Sequence, residues 1–389
     1  MISFDLTQQQ LEFQELARTF AKDVVRPTAA KHDADSSFPI DEIRQAFRLG
    51  LLTAFLPKDY GGLELPMIDQ VIIDEELGWG CKGFWAAAIL PLQLALQPLI
   101  KFGTTAQKER WLPGFAKELR FASFALTEPS GGSDFTGHTT KAIKRGNSYV
   151  ISGTKQWISN AAYADLFTVI ARVSDGKSNT GGLSVFLVPK TTPGITLGQH
   201  EDKMGSRCAD TRTVTFEECV VDDDMLVGGE GKAPSILDYT LSRGRPKVAS
   251  AATGVLRAAL EYASRYATER RVGGKTIVNY QLIQLKLAEM AKDLLASRLL
   301  IWNACWRLDN GLPAKLEVST AKCFATDAAV RGTTEAIQVL GANGYIRGYG
   351  VEKLLRDVKV TQIGEGTNEI QRLIIASEVI RKIITNSTI

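Results

Sequence analysis

Glu365 stands in Thr361-Gln-Ile-Gly-Glu-Gly-Thr-Asn-Glu-Ile-Gln-Arg372, a single carboxylate between two glycines just ahead of an amphipathic run. A general base suits such a place. Glycine tolerates positive φ and lets another molecule approach the backbone, so Gly364 and Gly366 leave room beside Glu365 for a substrate. The same residues also describe an ordinary solvated turn, and only the rest of the chain separates the two readings. Downstream, Asn368 is predicted as an N-cap with Gln371 three residues on, and Ile370, Leu373, Ile374, Ile380 and Ile384 recur at helical spacing.

Four further segments carry polar groups in patterns that can hold a ligand. Phe124-Ala-Leu-Thr-Glu-Pro-Ser-Gly-Gly-Ser-Asp134 joins a strand end to a glycine-rich turn. The hydroxyls of Thr127, Ser130 and Ser133 and the nearby N–H groups can meet an anion or a heteroaromatic edge, or the segment simply turns the chain. Lys155-Gln-Trp-Ile-Ser-Asn160 sets Trp157 among polar residues, where an indole covers a flat ligand or packs into a core. Thr268-Glu-Arg-Arg-Val-Gly-Gly-Lys275 closes a helix ahead of Tyr280-Gln281; its arginines bind a diphosphate or complement the helix C-terminus. Gln338-Val-Leu-Gly-Ala-Asn-Gly344 reads, taken alone, as a glycine C-cap.

Composition removes several alternatives. With 46 basic against 43 acidic residues the net charge is +3, too small to imply general attraction to nucleic acid or membrane. The five cysteines are scattered without a Cys-x-x-Cys pair, arguing against a disulfide framework or zinc site and for a reducing, cytoplasmic setting. Three histidines without ligand spacing leave metal chemistry and a histidine triad unsupported, so no metal is expected. The N-terminal residues show no basic-then-apolar leader. The apolar stretch from Trp85 to Leu96, interrupted by Pro91 and Gln93, is shorter than a bilayer span and reads as a buried helix.

These groups must be positioned by three kinds of segment. From Thr7 to Gly114, Phe13, Leu16, Phe20 and Val24 mark helical periodicity, with breaks at Pro27, Pro39, Gly61 and Gly62. From about Arg120, short β-rich runs appear at 121–126, 148–151, 166–171, 183–188 and 211–216, suggesting a small sandwich or barrel. After Gly228-Gly229-Glu230-Gly231-Lys232 the helical period returns, with helices expected near 248–269, 281–309, 314–340 and 368–385 as an antiparallel bundle. The expected fold is therefore mainly α with a β middle domain: an all-α unit at 1–119, a β unit at 120–232 and a helical bundle at 233–389.

Taken together, Thr127-Glu-Pro-Ser-Gly-Gly-Ser-Asp134, Trp157-Ile-Ser, Lys203-Met-Gly-Ser-Arg207, Arg245-Pro246, Glu269-Arg270, Gln338-Val-Leu-Gly and Glu365-Gly-Thr-Asn-Glu-Ile-Gln-Arg372 make the chain resemble the acyl-CoA dehydrogenase flavoenzymes, nearest the medium- and short-chain branch, over essentially its whole length. The resemblance implies FAD as cofactor, an acyl-CoA substrate, electron-transfer flavoprotein as acceptor and a homotetramer. It implies that Phe124, Leu126, Thr127 and Ser133 line the flavin and the pantetheine, with Trp157 and Ser159 against the isoalloxazine. Arg270, Tyr280 and Gln281 would meet the diphosphate or adenine half, and Gln338, Gly341 and Ala342 would do so from a neighbouring subunit. Thr367 and Glu369 would approach the cofactor near the base. Ser242, Arg243 and Arg245, with Ser133, would contact the CoA arm, Gly366 would lie beside the acyl group, and Glu365 would be the catalytic base, its own backbone N–H helping to hold the enolate-like oxygen.

Departures from the family pattern carry their own expectations. Gly273 replaces a common phenylalanine, which removes a stacking surface near the adenine, and Ser242 replaces a common aspartate on the pantetheine. Gly364 stands where the medium-chain enzymes often have tyrosine, so the acyl pocket should be wider there. No arginine occurs near Trp85, which implies an uncharged acyl tail, and Phe84 and Trp85 are expected to shorten the pocket. A flavin-dependent oxidase or monooxygenase on the same fold is the alternative, and the presence of Glu365 speaks against it.

Overall fold

The computed structural model of the protein describes residues 5–135, 137–174 and 181–385, so residues 1–4 and 386–389, the outer ends of the first and last expected units, lie outside it. The N-terminal helices are α1 (Gln8–Phe20), α2 (Arg26–Asp35), α3 (Ile40–Arg48), α4 (Met67–Ala88), α5 (Leu90–Phe102) and α6 (Thr105–Lys117). Their starts follow local chemistry. Thr7 and Thr104 each cap a helix by a box in which the threonine oxygen accepts from the third backbone N–H and the glutamine there accepts from the cap's own N–H. Helices α4 and α5 meet at Ile89 with a bend of 52°, and Pro91 sits in the first turn of α5, where its missing N–H costs nothing. Thus the apolar Trp85–Leu96 stretch is two core helices meeting at a corner rather than one; no single helix among the described residues is long and apolar enough to cross a membrane.

The middle of the chain forms β1 (Ala122–Ala125), β2 (Lys141–Arg145), β3 (Ser148–Ser159), β4 (Leu166–Ser174), β5 (Gly182–Pro189), β6 (Ile195–Leu197), β7 (Thr211–Asp222) and β8 (Leu226–Val227). They are hydrogen-bonded in the order β6-β7-β3-β2-β4-β5-β8, with β1 beside β4. Strands β1 and β2 run parallel to β4 and share its one edge, Phe124 opposite Thr168 and Ala142 opposite Val173. The β3–β7 ladder slips between Lys155 and Ile158, and Trp157 stands in that slip with φ +57°.

The C-terminal helices are α7 (Ala233–Glu269), α8 (Gln281–Asp309), α9 (Lys315–Leu340), α10 (Val351–Lys359) and α11 (Asn368–Ile384), with a two-stranded hairpin, β9 (Arg271–Val272) and β10 (Lys275–Thr276), between α7 and α8. Two expectations need correction. The first bundle helix begins at Ala233 rather than near 248, because Ile236, Leu237 and Thr240 bury one side of a turn-rich stretch. The cap of α11 is Thr367, whose oxygen accepts from Ile370 N–H at 3.3 Å; Asn368 is the first helical residue and is buried. An ion-pair cluster ties α1 and α4 to α7 and α8: Glu76 meets Arg18 and Arg257, and Glu75 meets Arg257 and Arg298.

Candidate active site

Glu365 lies between α10 and α11 in the left-handed region, φ +55°, a conformation that costs a non-glycine residue and persists where the surroundings impose it. Those surroundings are specific. Arg245 Nε donates to the Glu365 carbonyl at 3.2 Å, Lys322 Nζ to the Gly366 carbonyl at 2.9 Å and the Gln371 amide to that same carbonyl at 3.0 Å. Lys322, fully buried on α9, also donates to Asn368 Oδ1 at 2.9 Å, and Asn368 in turn donates to Thr326 and Asp327. Gly366 has φ +86°, so the reversal of the chain after the carboxylate uses glycine's freedom.

The Glu365 side chain turns inward. Both carboxylate oxygens are sealed from solvent and neither has a hydrogen-bond partner. They face α7 at Gly244, where a Cβ would stand 2.1 Å from Oε2, and Leu94 of α5, whose Cδ2 approaches the same point at 2.9 Å. Burial pushes the carboxyl up to about 7, against the opposing charges of Arg245, Lys322 and Lys247. A buried carboxyl without donors is costly for a fold and useful for accepting a proton near neutral pH.

The glycine-rich turn after β1 is held by a buried ion pair. Lys155 Nζ lies 2.8 Å from Glu128 and 3.0 Å from the Leu126 carbonyl, and Glu128 also accepts from Thr139 and Thr140 N–H at 2.6 and 3.0 Å. Burial alone would raise Glu128, but these donors outweigh it and bring the carboxyl to about 2. The Thr127 carbonyl accepts from Gln156 N–H at 2.9 Å, and Ser123 Oγ donates to the Ser159 carbonyl at 2.7 Å, so the turn and the end of β3 are one unit. Phe124, Leu126, Thr127 and Ser159 are half-buried, while Ser133 and Trp157 are exposed, Trp157 by 59%.

A second recess, a cleft of about 490 Å³, brings Arg270, Tyr280, Gly341 and Ala342 together, with Tyr266 and Asn343 beside them. Gln281 and Gln338 are exposed and are not among its lining residues. Of the remaining expected residues, Arg243 stacks 3.6 Å over the Tyr239 ring, Ser242 is half-buried on the same helix, Thr367 caps α11 and Glu369 is exposed in its first turn.

Successive stretches of the chain match the acyl-CoA dehydrogenase N-terminal domain over residues 7–118, the middle domain over 123–219 and the C-terminal domain over 235–380. The chain belongs to the acyl-CoA dehydrogenase family. It is 38% identical over 380 residues to the probable acyl-CoA dehydrogenase YngJ of Bacillus subtilis, spanning 98% of this chain and 100% of that one. It is also 38% identical to the mitochondrial short-chain specific acyl-CoA dehydrogenase of Rattus norvegicus, over 97% of this chain and 92% of that protein. The structure of butyryl-CoA dehydrogenase from Megasphaera elsdenii superimposes with a TM-score of 0.94 at 34% identity, covering 98% of this chain and 100% of that one.

This acyl-CoA dehydrogenase is an oxidoreductase acting on an acyl-CoA, and FAD is its cofactor. The residues present fit that group: an exposed indole on a strand bulge offers a flat face, and the arginine-bearing cleft is open to a nucleotide. Gly273 has φ +55°, and a Cβ there would lie 2.7 Å from the Tyr280 hydroxyl, which donates to the Val272 carbonyl. A side chain at 273 would therefore need both a left-handed backbone and a shift of the Tyr280 hydroxyl. Gly364 is exposed, and a Cβ there would meet only the Val360 carbonyl at 3.6 Å, so a side chain at that position has room. Phe84 packs on Phe20 and the Trp85 indole donates to Asp74 at 2.7 Å, while Leu94 meets the Gly244 position beside the carboxylate. Gly244, Lys322, Glu128 and Lys155 went unseen as site residues in the sequence, because each is defined by a partner far away along the chain.

Proposed function

We propose that the enzyme α,β-dehydrogenates a short, uncharged acyl-CoA thioester to the trans-2-enoyl-CoA, with Glu365 taking the α proton. The observation that carries this reading is the Glu365 carboxylate, sealed from water and without a donor, against a helix position kept empty by Gly244. A carboxylate so placed is poised to accept a proton from carbon once a thioester has entered, and further loss of water on binding raises its affinity for that proton. When bound, FAD supplies the acceptor for the β hydride. Arg245, Lys322 and Gln371 hold the backbone at 365–366, which keeps the carboxylate aligned and aims the Glu365 N–H at the thioester oxygen as charge develops. Arg245 is therefore assigned as a positioning residue rather than a CoA contact, while Ser133, Ser242 and Arg243 remain proposed for the CoA arm.

The short-chain preference rests on likeness to the rat short-chain enzyme and the Megasphaera butyryl-CoA dehydrogenase. Electron-transfer flavoprotein is the proposed acceptor, approaching at the exposed Trp157. The proposed functional units are 1–119, 120–232 and 233–389, in a cytoplasmic homotetramer. Oligomer formation is supported by the position of Arg270, about 39 Å beyond Gly244 along α7 at about 1.5 Å per residue, too far for one FAD to serve both. The cleft at Arg270, with Tyr280, Gly341 and Ala342, would thus meet the cofactor of a neighbouring subunit. Exposed Leu282, Leu285, Leu295 and Leu299 on α8 give apolar surface for such packing.

The test is anaerobic mixing of the purified enzyme with straight, branched and dicarboxylic acyl-CoA thioesters, read by loss of flavin absorbance. Butyryl-CoA and its close homologues should reduce the flavin, whereas glutaryl-CoA should not. Reduction by glutaryl-CoA alone would overturn the substrate reading.

A further inference from the structure

Away from Glu365, helix α4 meets the loop 203–210 at a cluster the reaction does not use. Cys81 interrupts α4 with extended backbone angles, φ −165° and ψ 114°, which carries its side chain out of the helical path. Cys208 lines the same small cavity as Cys81, and Lys353 Nζ donates to the Cys81 sulfur at 3.3 Å. Both sulfurs surround one point: a Cβ built on Gly83 would lie 2.7 Å from Cys208 Sγ and 3.6 Å from Cys81 Sγ. Both cysteines line one small cavity of about 10 Å³ with His32, Pro39 and Phe84, room for roughly one water-sized molecule. Lys82, Asp357 and Lys203 complete the charged surroundings. Lys353 also pairs with Asp357, which accepts from Ser206 N–H at 2.6 Å, and Lys82 donates to Ser206 Oγ at 3.1 Å.

We propose that Cys81 and Cys208 form a reversible peroxide-oxidised disulfide that staples the N-terminal helices to the loop 203–210 beside the end of β3. Cys81 is the attacking sulfur. The neighbouring Cys208 thiol leads, and Lys353 adds its charge, in drawing the Cys81 thiol down to about 6 against burial; the Cys81 neighbour and burial push Cys208 up. The Cys81 thiolate attacks one oxygen of hydrogen peroxide and the O–O bond breaks. The departing oxygen leaves as water with the proton the thiol gave up, and Cys81 becomes a sulfenic acid. The Cys208 sulfur then attacks the sulfenic sulfur, the S–O bond breaks, and water leaves with the Cys208 proton. Two thiols are oxidised and one peroxide is reduced to two waters.

The staple reaches the catalytic region through the loop itself. The Asp210 carbonyl accepts from Asn160 N–H at 2.9 Å and its carboxylate from Ala162 N–H at 2.9 Å, directly after Trp157 and Ser159. Cys219, Cys305 and Cys323 are also buried and stand outside this cluster, so they serve as internal controls.

The test uses the flavin-loaded enzyme, titrated with hydrogen peroxide, quenched, denatured, alkylated and mapped by peptide mass. The expected result is a linked Cys81–Cys208 peptide with the other three cysteines still alkylated, reversed by a dithiol. In Cys208→Ser, a dione probe should capture a sulfenic acid at Cys81. In Lys353→Met, oxidation of Cys81 should slow by about tenfold or more. First oxidation at Cys219, Cys305 or Cys323, or no linked peptide while the protein keeps its flavin, would overturn the proposal, and the unmutated enzyme suffices for both. Because the readout is mass rather than turnover, the outcome is independent of the role assigned to Glu365.

Discussion

The Glu365 carboxyl has a pH signature that distinguishes a base from a structural residue. Its level of about 7 lies above the ordinary 4.5, so below pH 7 the group is protonated and cannot accept a proton. kcat/KM for the free enzyme should therefore rise with pH and level off above about 7, approaching tenfold per unit on the acid side. The linkage to stability has the opposite sense. A raised acid contributes stability that is fully present below its unfolded value and lost as pH rises through about 7. Glu365→Gln, which carries no charge, should thus gain on the order of 3 kcal/mol over the unmutated protein above pH 7, and the gain should vanish below about pH 4.5, as denaturant melts at the two pH values would show. Gly244→Ala is the complementary change: a methyl group 2.1 Å from Oε2 must displace the carboxylate. Turnover should fall on the order of 10²-fold with the flavin retained, and rapid-mixing kinetics would separate that loss from weaker binding. The two residues differ in how they read from sequence. Glu365 was visible because glycines flank it; Gly244 was not, because its lack of a side chain matters only against a carboxylate that the fold delivers from another helix.

Among the elements, the glycine-rich turn and β3 depend on the Glu128–Lys155 pair. Burial draws the Lys155 ammonium down to about 8, so the pair's stabilising action rests on the several donors converging on the carboxylate. Lys155→Met would strand that carboxylate in the interior, with an expected loss of about 3–5 kcal/mol and release of flavin, measurable by chemical denaturation and by flavin absorbance in the filtrate. Glu128, held at about 2, contributes stability present above its unfolded value and lost as pH falls toward 2. Elements were legible where side chains alternate or recur with one period: β4 and β5 bury nearly every residue, and α8 was placed at 281–309 from periodicity alone. Strand β2, Lys141-Ala-Ile-Lys-Arg145, was missed because three of its five residues are basic and it is defined by pairing with β3 and β4 rather than by its own apolar content. Helix α10 was missed for its shortness and for the glycine-rich turns that lead into it.

On the scale of the whole molecule, Gly244 and the Arg270 cleft lie about 39 Å apart along α7 at about 1.5 Å per residue, and in the proposed homotetramer the cleft would serve a neighbouring subunit's cofactor. Arg270→Ala should lower FAD affinity by roughly 10–100-fold, the range of a charge-assisted hydrogen bond to phosphate, with Glu365 chemistry intact in the fraction that keeps its flavin. Flavin-to-protein ratios after gel filtration would check this. The order α, β, α was readable across the chain, whereas the convergence of α5, α7 and α9 on the 365–366 turn and its carboxylate was not, since each contributes from a different stretch of sequence. The most direct measurement is anaerobic titration of flavin-loaded Glu365→Gln with butyryl-CoA beside the unmutated enzyme. Bleaching of the flavin in the unmutated enzyme and none in the variant, with thioester still bound, is the predicted outcome; equal bleaching in both would contradict the assignment of Glu365 as the base.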